Sequence, residues 1–198
     1  MSTSSPLLVA TRNTHKTSEI QSMLGAGYEV SDLTSGDYPD VEETGTTFLE
    51  NATLKAVEIS KVTSGLILSD DSGLEVDALG GEPGVYSARY AGVDGDNEAN
   101  NTKLMSELSK LPPSTPKTAR FRCVMVLAEN GKRLAHFDGS VEGSIISELT
   151  GDKGFGYDPL FIPDGYERTF AQLGDDVKNQ LSHRAKALQQ VISWLEDR

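Results

Sequence analysis

A buried strand is predicted by the apolar run Leu66-Ile67-Leu68, which continues as Ser69-Asp70-Asp71-Ser72-Gly73-Leu74. Two adjacent carboxylates thus follow the expected end of a strand, beside a hydroxyl and a glycine. Open α/β sheets place their ligand sites at such strand ends. Adjacent carboxylates there can hold a hard divalent cation, or one can act as a base beside a metal. The alternative is a solvated acidic turn.

A functional loop is favoured by the Gly/Pro-dense run Gly80-Gly81-Glu82-Pro83-Gly84, which leads to Tyr86 and Arg89.

Composition bounds the class of protein. The chain has 198 residues, 37% of them hydrophobic and 24% charged, as is usual for a globular protein. We expect one domain over residues 1–198, with a possible lobe boundary near 112–117. The net charge of −12 argues against nonspecific nucleic-acid binding. A single cysteine, Cys123, favours a reducing compartment, and we expect the cytoplasm. No apolar run is long enough to span a membrane.

Helical and strand patterns alternate along the chain and predict a mixed α/β fold with antiparallel strands in its second half. Thr47 and Glu50 have the spacing of a capping box before a helix whose apolar face is Phe48, Ala52, Ala56 and Ile59. The other predicted elements are strands at 7–10, 120–127, 133–137 and 141–146, helices at 14–24, around 104–111 and from 182 to 194, a turn at 130–131 and a long loop at 151–165.

A candidate anion site is the strand-to-helix junction Ala10-Thr11-Arg12-Asn13-Thr14-His15-Lys16. Helix N-termini present unpaired N–H groups to anions, and Lys16 adds a charge one turn into the helix. The alternative is a merely capped surface helix. Lys55 shares a helix face with Asn51 and Glu58, where the alternative is a solvated Lys–Glu pair.

A candidate base site is the run Gly154-Phe155-Gly156-Tyr157-Asp158-Pro159. An aromatic ring held by glycines is suited to stacking on a base; the alternative is a hydrophobic plug under the loop. We expect Lys178, Ser182, His183 and Arg184 to open the last helix. Cations at the start of a helix are unfavourable because they meet the positive end of the helix dipole. A bound anion or an electron-rich base edge would offset this effect.

Together, six segments resemble the inosine triphosphate pyrophosphatase family, the non-canonical purine nucleoside triphosphate pyrophosphatases, in its bacterial dITP/XTP form. They occur in the family's order and extend from residue 10 to 184; Thr11 stands where many members have Ser. The segments are Ala10-Thr11-x-Asn13-x-x-Lys16, Thr47-Phe48-x-Glu50-Asn51-Ala52-x-x-Lys55-Ala56, Asp70-Asp71-Ser72-Gly73-Leu74, Gly81-x-Pro83-Gly84-x-Tyr86-Ser87-Ala88-Arg89, Gly154-Phe155-Gly156-Tyr157-Asp158-Pro159 and Ser182-His183-Arg184.

The resemblance implies an α/β fold with an elongated, twisted mixed β-sheet flanked by helices, two lobes with the active-site cleft between them, and a homodimer. It implies Mg²⁺-dependent hydrolysis of ITP, dITP and XTP to the monophosphate and diphosphate, which cleanses the nucleotide pool. Asp71 is the implied proton acceptor, and Glu43 and Asp71 are the implied metal ligands. The implied substrate contacts are Thr11, Arg12, Asn13, Thr14, His15, Lys16, Lys55, Ser72, Phe155, Gly156, Tyr157, Asp158, Lys178, His183 and Arg184.

Elementary chemistry agrees with these roles. Mg²⁺ takes few protein carboxylates and keeps water and phosphate oxygens as ligands. Either Asp70 or Asp71 can accept the proton of an attacking water. Hypoxanthine and xanthine offer a carbonyl at C6, to which Arg184 or a backbone N–H can donate, whereas adenine places a donor there. Two alternatives remain: a nucleotide sensor without catalysis, and a pyrophosphatase of modified pyrimidine nucleotides.

Overall fold

The structure is a computed structural model and describes residues 5–197. Within those residues the chain forms six strands and six α-helices. In order they are β1 (Ser5–Val9), α1 (Thr14–Leu24), β2 (Tyr28–Asp32), α2 (Phe48–Val62), β3 (Ile67–Val76), α3 (Asn97–Ser109), β4 (Thr118–Glu129), β5 (Lys132–Ile145), β6 (Phe161–Pro163), α4 (Phe170–Leu173), α5 (Asp175–Leu181) and α6 (His183–Glu196). None of the helices described is long and apolar enough to cross a bilayer.

One mixed sheet contains all six strands in the order β2-β1-β3-β4-β5-β6. Strand β1 is parallel to both neighbours, with Leu7 opposite Val30 and Val9 opposite Leu68. Strands β5 and β6 are antiparallel. The predicted class, α/β with a mixed sheet flanked by helices, is confirmed.

Strand β3 differs from its prediction. It extends over Ile67–Val76, so Asp70 and Asp71 lie in its interior and not after its end. The prediction was wrong because aspartate is depleted in strands, and two in succession indicate a turn. Asp70 is 0% exposed and Asp71 5%, which excludes the solvated acidic turn. The strand tolerates both carboxylates because cationic side chains contact them, as described below.

Three further boundaries differ from the sequence prediction. Strand β5 is continuous where two strands were predicted, because its alternation of buried and exposed residues persists through Asp138-Gly139-Ser140. The predicted loop at 151–165 contains the short strand β6. Lys178 belongs to α5, and α6 begins at His183. The turn predicted at Asn130-Gly131 is confirmed, with both residues at positive φ.

Helix starts follow their sequence signals closely. Helix α1 covers its predicted range, and the Asn13 side chain caps it. Helix α2 has the predicted capping box, with Thr47 and Glu50 bonded reciprocally. Its predicted apolar stripe is buried. Helix α3 ends at Ser109, shortly before Pro112-Pro113, as expected.

The chain divides into two compact units. Unit 1 comprises the described residues up to Asp71, Cys123–Gly139 and the chain from Arg184; unit 2 comprises Ser72–Arg122 and Ser140–His183. Residues 112–117 lie inside unit 2. Each unit has its own core. Unit 1 buries Leu7, Val9, Ile20, Leu68, Cys123, Met125, Leu127, Phe137, Leu188 and Val191, and unit 2 buries Leu74, Val76, Leu104, Leu108, Phe121, Val141, Ile145, Leu160, Phe161 and Phe170.

Candidate active site

Polar side chains cap the start of α1, the helix end that we expect to face an anion. Asn13 Oδ1 accepts from the backbone N–H groups of His15 and Lys16 at 3.0 and 3.4 Å. Thr11 Oγ1 accepts from the backbone N–H of Asn13 at 3.1 Å. The first turn contains no acidic residue. The positive end of the helix dipole therefore meets no negative side chain of its own helix.

Arg12 contacts the loop after β2. Its guanidinium donates to the Asp40 carboxylate at 2.9 Å and to the carbonyl oxygens of Leu33 and Tyr38 at 3.0 and 2.9 Å. Thr14 and His15 are exposed. The structure thus gives Arg12 a role in holding residues 33–40, beside its predicted role as a substrate contact.

Lys55 is the centre of a charged cluster in unit 1. Its Nζ lies 2.7 Å from Glu43 Oε1 and 3.3 Å from Asp71 Oδ1, and it donates to the Asp70 carbonyl at 3.0 Å. The side chain is buried, and Glu58 pairs with Lys61 instead. The solvated Lys55–Glu58 pair is therefore excluded. The structure brings Glu43, Lys55 and Asp71 together as the sequence implied.

Asp70 is paired on all sides. Lys16 Nζ lies 2.7 Å from Oδ1, and Arg184 donates from Nε to Oδ2 at 2.8 Å and from Nη2 to Oδ1 at 3.3 Å. The thiol of Cys123 donates to Oδ2 at 3.1 Å. Arg184 also pairs with Glu19 through Nη1 and is only 1% exposed. The guanidinium thus contacts carboxylates of unit 1, which does not support its predicted donation to a base carbonyl.

The pKa values of the two adjacent aspartates are shifted in opposite directions. Burial raises the pKa of Asp71 above its usual value, and the Lys55 and Lys16 charges do not fully offset this. Burial also acts on Asp70, but Arg184 and Lys16 outweigh it and hold the Asp70 pKa well below its usual range. For Lys55, the carboxylates of Asp71 and Glu43 outweigh burial and raise the pKa. Asp71 is thus the better proton acceptor of the pair.

The donor set suits a divalent cation with few protein ligands. No group of three or more His, Cys, Asp or Glu side chains that could hold a metal ion occurs among residues 5–197. Glu43 and Asp71 nevertheless contact the same ammonium group, and Asp71 Oδ2 is buried without a hydrogen-bond partner among the described residues. An unpartnered carboxylate oxygen beside a second carboxylate fits Mg²⁺, which completes its shell with water and substrate oxygens.

A second cluster, in unit 2, contains the predicted aromatic. Asp158 Oδ2 accepts from Lys178 Nζ at 2.6 Å and from the Phe155 backbone N–H at 2.9 Å. The ammonium of Lys178 lies 4.5 Å from the centre of the Phe155 ring. A Cβ at Gly154 would lie 2.1 Å from Asp158 Oδ2, so only glycine fits there. Phe155 is half-buried, unlike a hydrophobic plug.

The remaining predicted residues of unit 2 have contacts of their own. Tyr157 is buried, and its hydroxyl donates to the Ser87 carbonyl at 2.8 Å. The Gly156 carbonyl accepts from Asn101 at 2.9 Å. His183 stacks on Phe121 with ring centres 4.9 Å apart. Ser182 is buried between α5 and α6, and Ser72 follows Asp71 in β3.

Sequence reasoning missed several residues that hold these clusters. Glu19 lies one turn after Lys16 in α1, and that spacing was the one available signal. Asn101 and Cys123 meet the clusters only through the fold, because their partners are more than 50 residues away.

The protein is of the α/β class, and its mixed sheet carries a buried group of carboxylates and lysines. It belongs to the Ham1 family, whose sequence model matches residues 7–194. The chain is 49% identical over 193 residues to a "dITP/XTP pyrophosphatase" of Desulforamulus reducens, which covers 96% of this chain and 94% of that protein. This confirms the resemblance found in the motifs.

Two solved structures are similar over almost their whole length. A HAM1 protein from Coxiella burnetii has a TM-score of 0.87 at 38% identity, covering 98% of this chain and 100% of the other. The Ham1 protein of Staphylococcus aureus has a TM-score of 0.83 at 40% identity, covering 97% of this chain and 98% of the other. These similarities support the fold over both units.

Proposed function

We propose that this protein hydrolyses ITP, dITP and XTP to the nucleoside monophosphate and diphosphate, and so removes non-canonical purines from the nucleotide pool. One observation carries the proposal: the buried Asp71 carboxylate lies beside Lys55, which also pairs with Glu43, and its Oδ2 has no hydrogen-bond partner among residues 5–197. The activity named for relatives such as the Desulforamulus reducens protein supports the same reaction.

Unit 1 binds the polyphosphate in this proposal. The start of α1 supplies the positive end of its helix dipole, with Thr11 and Asn13 as polar neighbours. Lys16 and Lys55 both approach the Asp70 carbonyl, at 3.4 and 3.0 Å, so two ammonium groups converge on one point of β3. Convergent positive charge suits the β and γ phosphates, which leave together as diphosphate.

Glu43 and Asp71 would hold Mg²⁺. When bound, the ion supplies charge neutralisation at phosphate oxygens and makes a coordinated water more acidic. Asp71 accepts a proton from the water that attacks the α-phosphorus. A bond from the water oxygen to that phosphorus forms, and the bond from the α-phosphorus to the bridging oxygen of the leaving diphosphate breaks. The raised pKa of Asp71 supports this role, and the salt bridges of Asp70 support a static one.

Unit 2 recognises the nucleoside in this proposal. The Phe155 ring stacks on the base, and the Lys178–Asp158 pair fixes that ring and its backbone. The nucleoside set implied by the family motifs also includes Gly156, Tyr157 and His183, and Ser72 is a further substrate contact. Arg184 acts through Asp70, which holds Lys16, because its guanidinium contacts carboxylates of unit 1.

A homodimer in the cytoplasm completes the proposal. The dimer follows from the family resemblance. The compartment follows from the single, buried cysteine and from a substrate pool that exists where nucleotides are made.

The test is a nucleotide panel in which phosphate and diphosphate are detected separately. We expect diphosphate from ITP, dITP and XTP with Mg²⁺, and far slower turnover of ATP and GTP. Asp71→Asn should lower kcat by about 10²–10⁴-fold, the usual scale for a lost general base. Glu58→Gln, an exposed carboxylate paired with Lys61, is the matched control.

Three outcomes would contradict the proposal. Orthophosphate without diphosphate would move the attack away from the α-phosphorus. Binding without turnover would indicate a sensor. Turnover confined to modified pyrimidine nucleotides would reassign the substrate.

A further inference from the structure

The loop before α2 is tied to that helix by a buried amide. The backbone N–H of Gly45 donates to Asn51 Oδ1 at 2.8 Å. Asn51 is 0% exposed and lies in the first turns of α2, one turn before Lys55. Glu43 is two residues before Gly45 and pairs with Lys55 at 2.7 Å. The loop that carries Glu43 is thus attached to α2 at two points.

The contact leaves no room for a side chain at Gly45. A Cβ there would lie 2.6 Å from Asn51 Oδ1 and 2.6 Å from Glu50 Cβ. The next two residues are also fixed, since the backbone N–H groups of Thr46 and Thr47 donate to Glu50 at 2.7 and 3.1 Å. The loop therefore lies directly against the start of α2.

Helix capping alone does not account for Asn51. The reciprocal Thr47–Glu50 box already caps α2, and the backbone N–H of Asn51 bonds to the Thr47 carbonyl. Asn51 Nδ2 is buried and has no hydrogen-bond partner within residues 5–197. Burying an unpaired donor of this kind destabilises the folded state. For folding alone, an apolar side chain of the same size would serve better at this position.

We infer that Asn51 is a positioning residue that acts through Gly45 to place Glu43 opposite Asp71. The amide oxygen fixes the backbone of the loop, while Lys55 fixes the carboxylate at its end. This inference rests on the proposed function in one respect, the role of Glu43 as a metal ligand. Residues that orient metal ligands typically contribute about 10–100-fold to metal affinity.

The experiment measures Mn²⁺ binding to the nucleotide-free enzyme by electron paramagnetic resonance, and the hydrogen exchange of the Gly45 amide by NMR. In Asn51→Leu we expect Mn²⁺ affinity to fall by about tenfold or more and the Gly45 amide to exchange faster. The matched control is Asn100→Leu. Asn100 is likewise buried and accepts from the Ala91 backbone N–H at 2.7 Å, but it lies in unit 2. This control should keep wild-type Mn²⁺ affinity.

A second variant keeps the test decisive if Asn51→Leu does not fold. Gly45→Ala retains Asn51 but places a methyl group 2.6 Å from its amide oxygen, and Gly45 is not in the left-handed region, so the contact is the main change. It should weaken Mn²⁺ binding in the same way. Wild-type Mn²⁺ affinity in either variant, or an unchanged exchange rate of the Gly45 amide in Asn51→Leu, would overturn the inference.

Failure of this inference is distinct from failure of the proposed function. Wild-type enzyme that releases diphosphate but binds no Mn²⁺ overturns the positioning role and leaves the hydrolase. Wild-type enzyme that binds Mn²⁺ but hydrolyses no nucleotide overturns the hydrolase, and Asn51→Leu then decides the positioning role alone.

Discussion

Asp70→Asn should destabilise the protein more than any surface change. The Asp70 carboxylate is fully buried and balances Arg184 and Lys16 at 2.8 and 2.7 Å. Asparagine keeps the shape and removes the charge, which leaves the buried guanidinium with Glu19 as its remaining carboxylate among these contacts. Removing one partner of a buried ion pair costs about 3–5 kcal/mol. At about 2–4 °C per kcal/mol for a chain of this size, the Tm should fall by about 6–20 °C.

The loss of stability in Asp70→Asn should become smaller at low pH. The pKa of Asp70 is held well below its usual value, because Arg184 and Lys16 outweigh the effect of burial. A carboxyl with a depressed folded pKa stabilises the fold above its unfolded pKa, about 3.9, and loses this contribution as the pH falls through the folded value. The difference in the free energy of unfolding between wild type and Asp70→Asn should therefore be constant from pH 7 to about pH 5 and should decrease below about pH 4.

The assay is urea unfolding followed by circular dichroism, with Glu58→Gln as the exposed control. Arg184→Met should lower the free energy of unfolding far less in the Asp70→Asn background than in wild type. In wild type this substitution leaves the buried Asp70 carboxylate unpaired, whereas in the Asp70→Asn background that charge is already absent. A loss below about 1 kcal/mol at pH 7, the scale of a surface pair, would refute the reasoning. So would additive effects of the two substitutions.

Three other predictions concern binding and assembly. Lys16→Met should raise KM for ITP more than it lowers kcat, since a phosphate-binding charge acts in ground and transition states alike; a pure kcat effect in steady-state kinetics would contradict this. Phe155→Ala should weaken kcat/KM for ITP and ATP by the same factor, equivalent to about 1–3 kcal/mol of stacking, and a changed ITP/ATP ratio would show that this ring reads the base. Light scattering should give twice the chain mass of 21.3 kDa at micromolar concentration; a monomer mass would overturn the homodimer.

Local signals were predictable from sequence, and long-range pairings were not. Asn13, the Thr47–Glu50 box and the Asn130-Gly131 turn each act within a few residues, so their patterns predict helix and turn positions well. Strand β3 was predicted too short because its two aspartates are neutralised by residues of other elements. The partners of Asp70 are 54 and 114 residues away, and no periodicity records such a distance.

Because Asp70 and Asp71 lie in the interior of β3, the register of this strand matters for function. Successive side chains of a strand project to opposite faces, so the ion-paired Asp70 and the proposed proton acceptor Asp71 lie on opposite faces of β3. The pairing of Val9 with Leu68 fixes that arrangement. A slip of one residue would move each carboxylate to the opposite face of the sheet. Deletion of Ser69 would therefore place Asp71, the proposed proton acceptor, where Asp70 now meets Arg184, a change that no substitution at either aspartate produces.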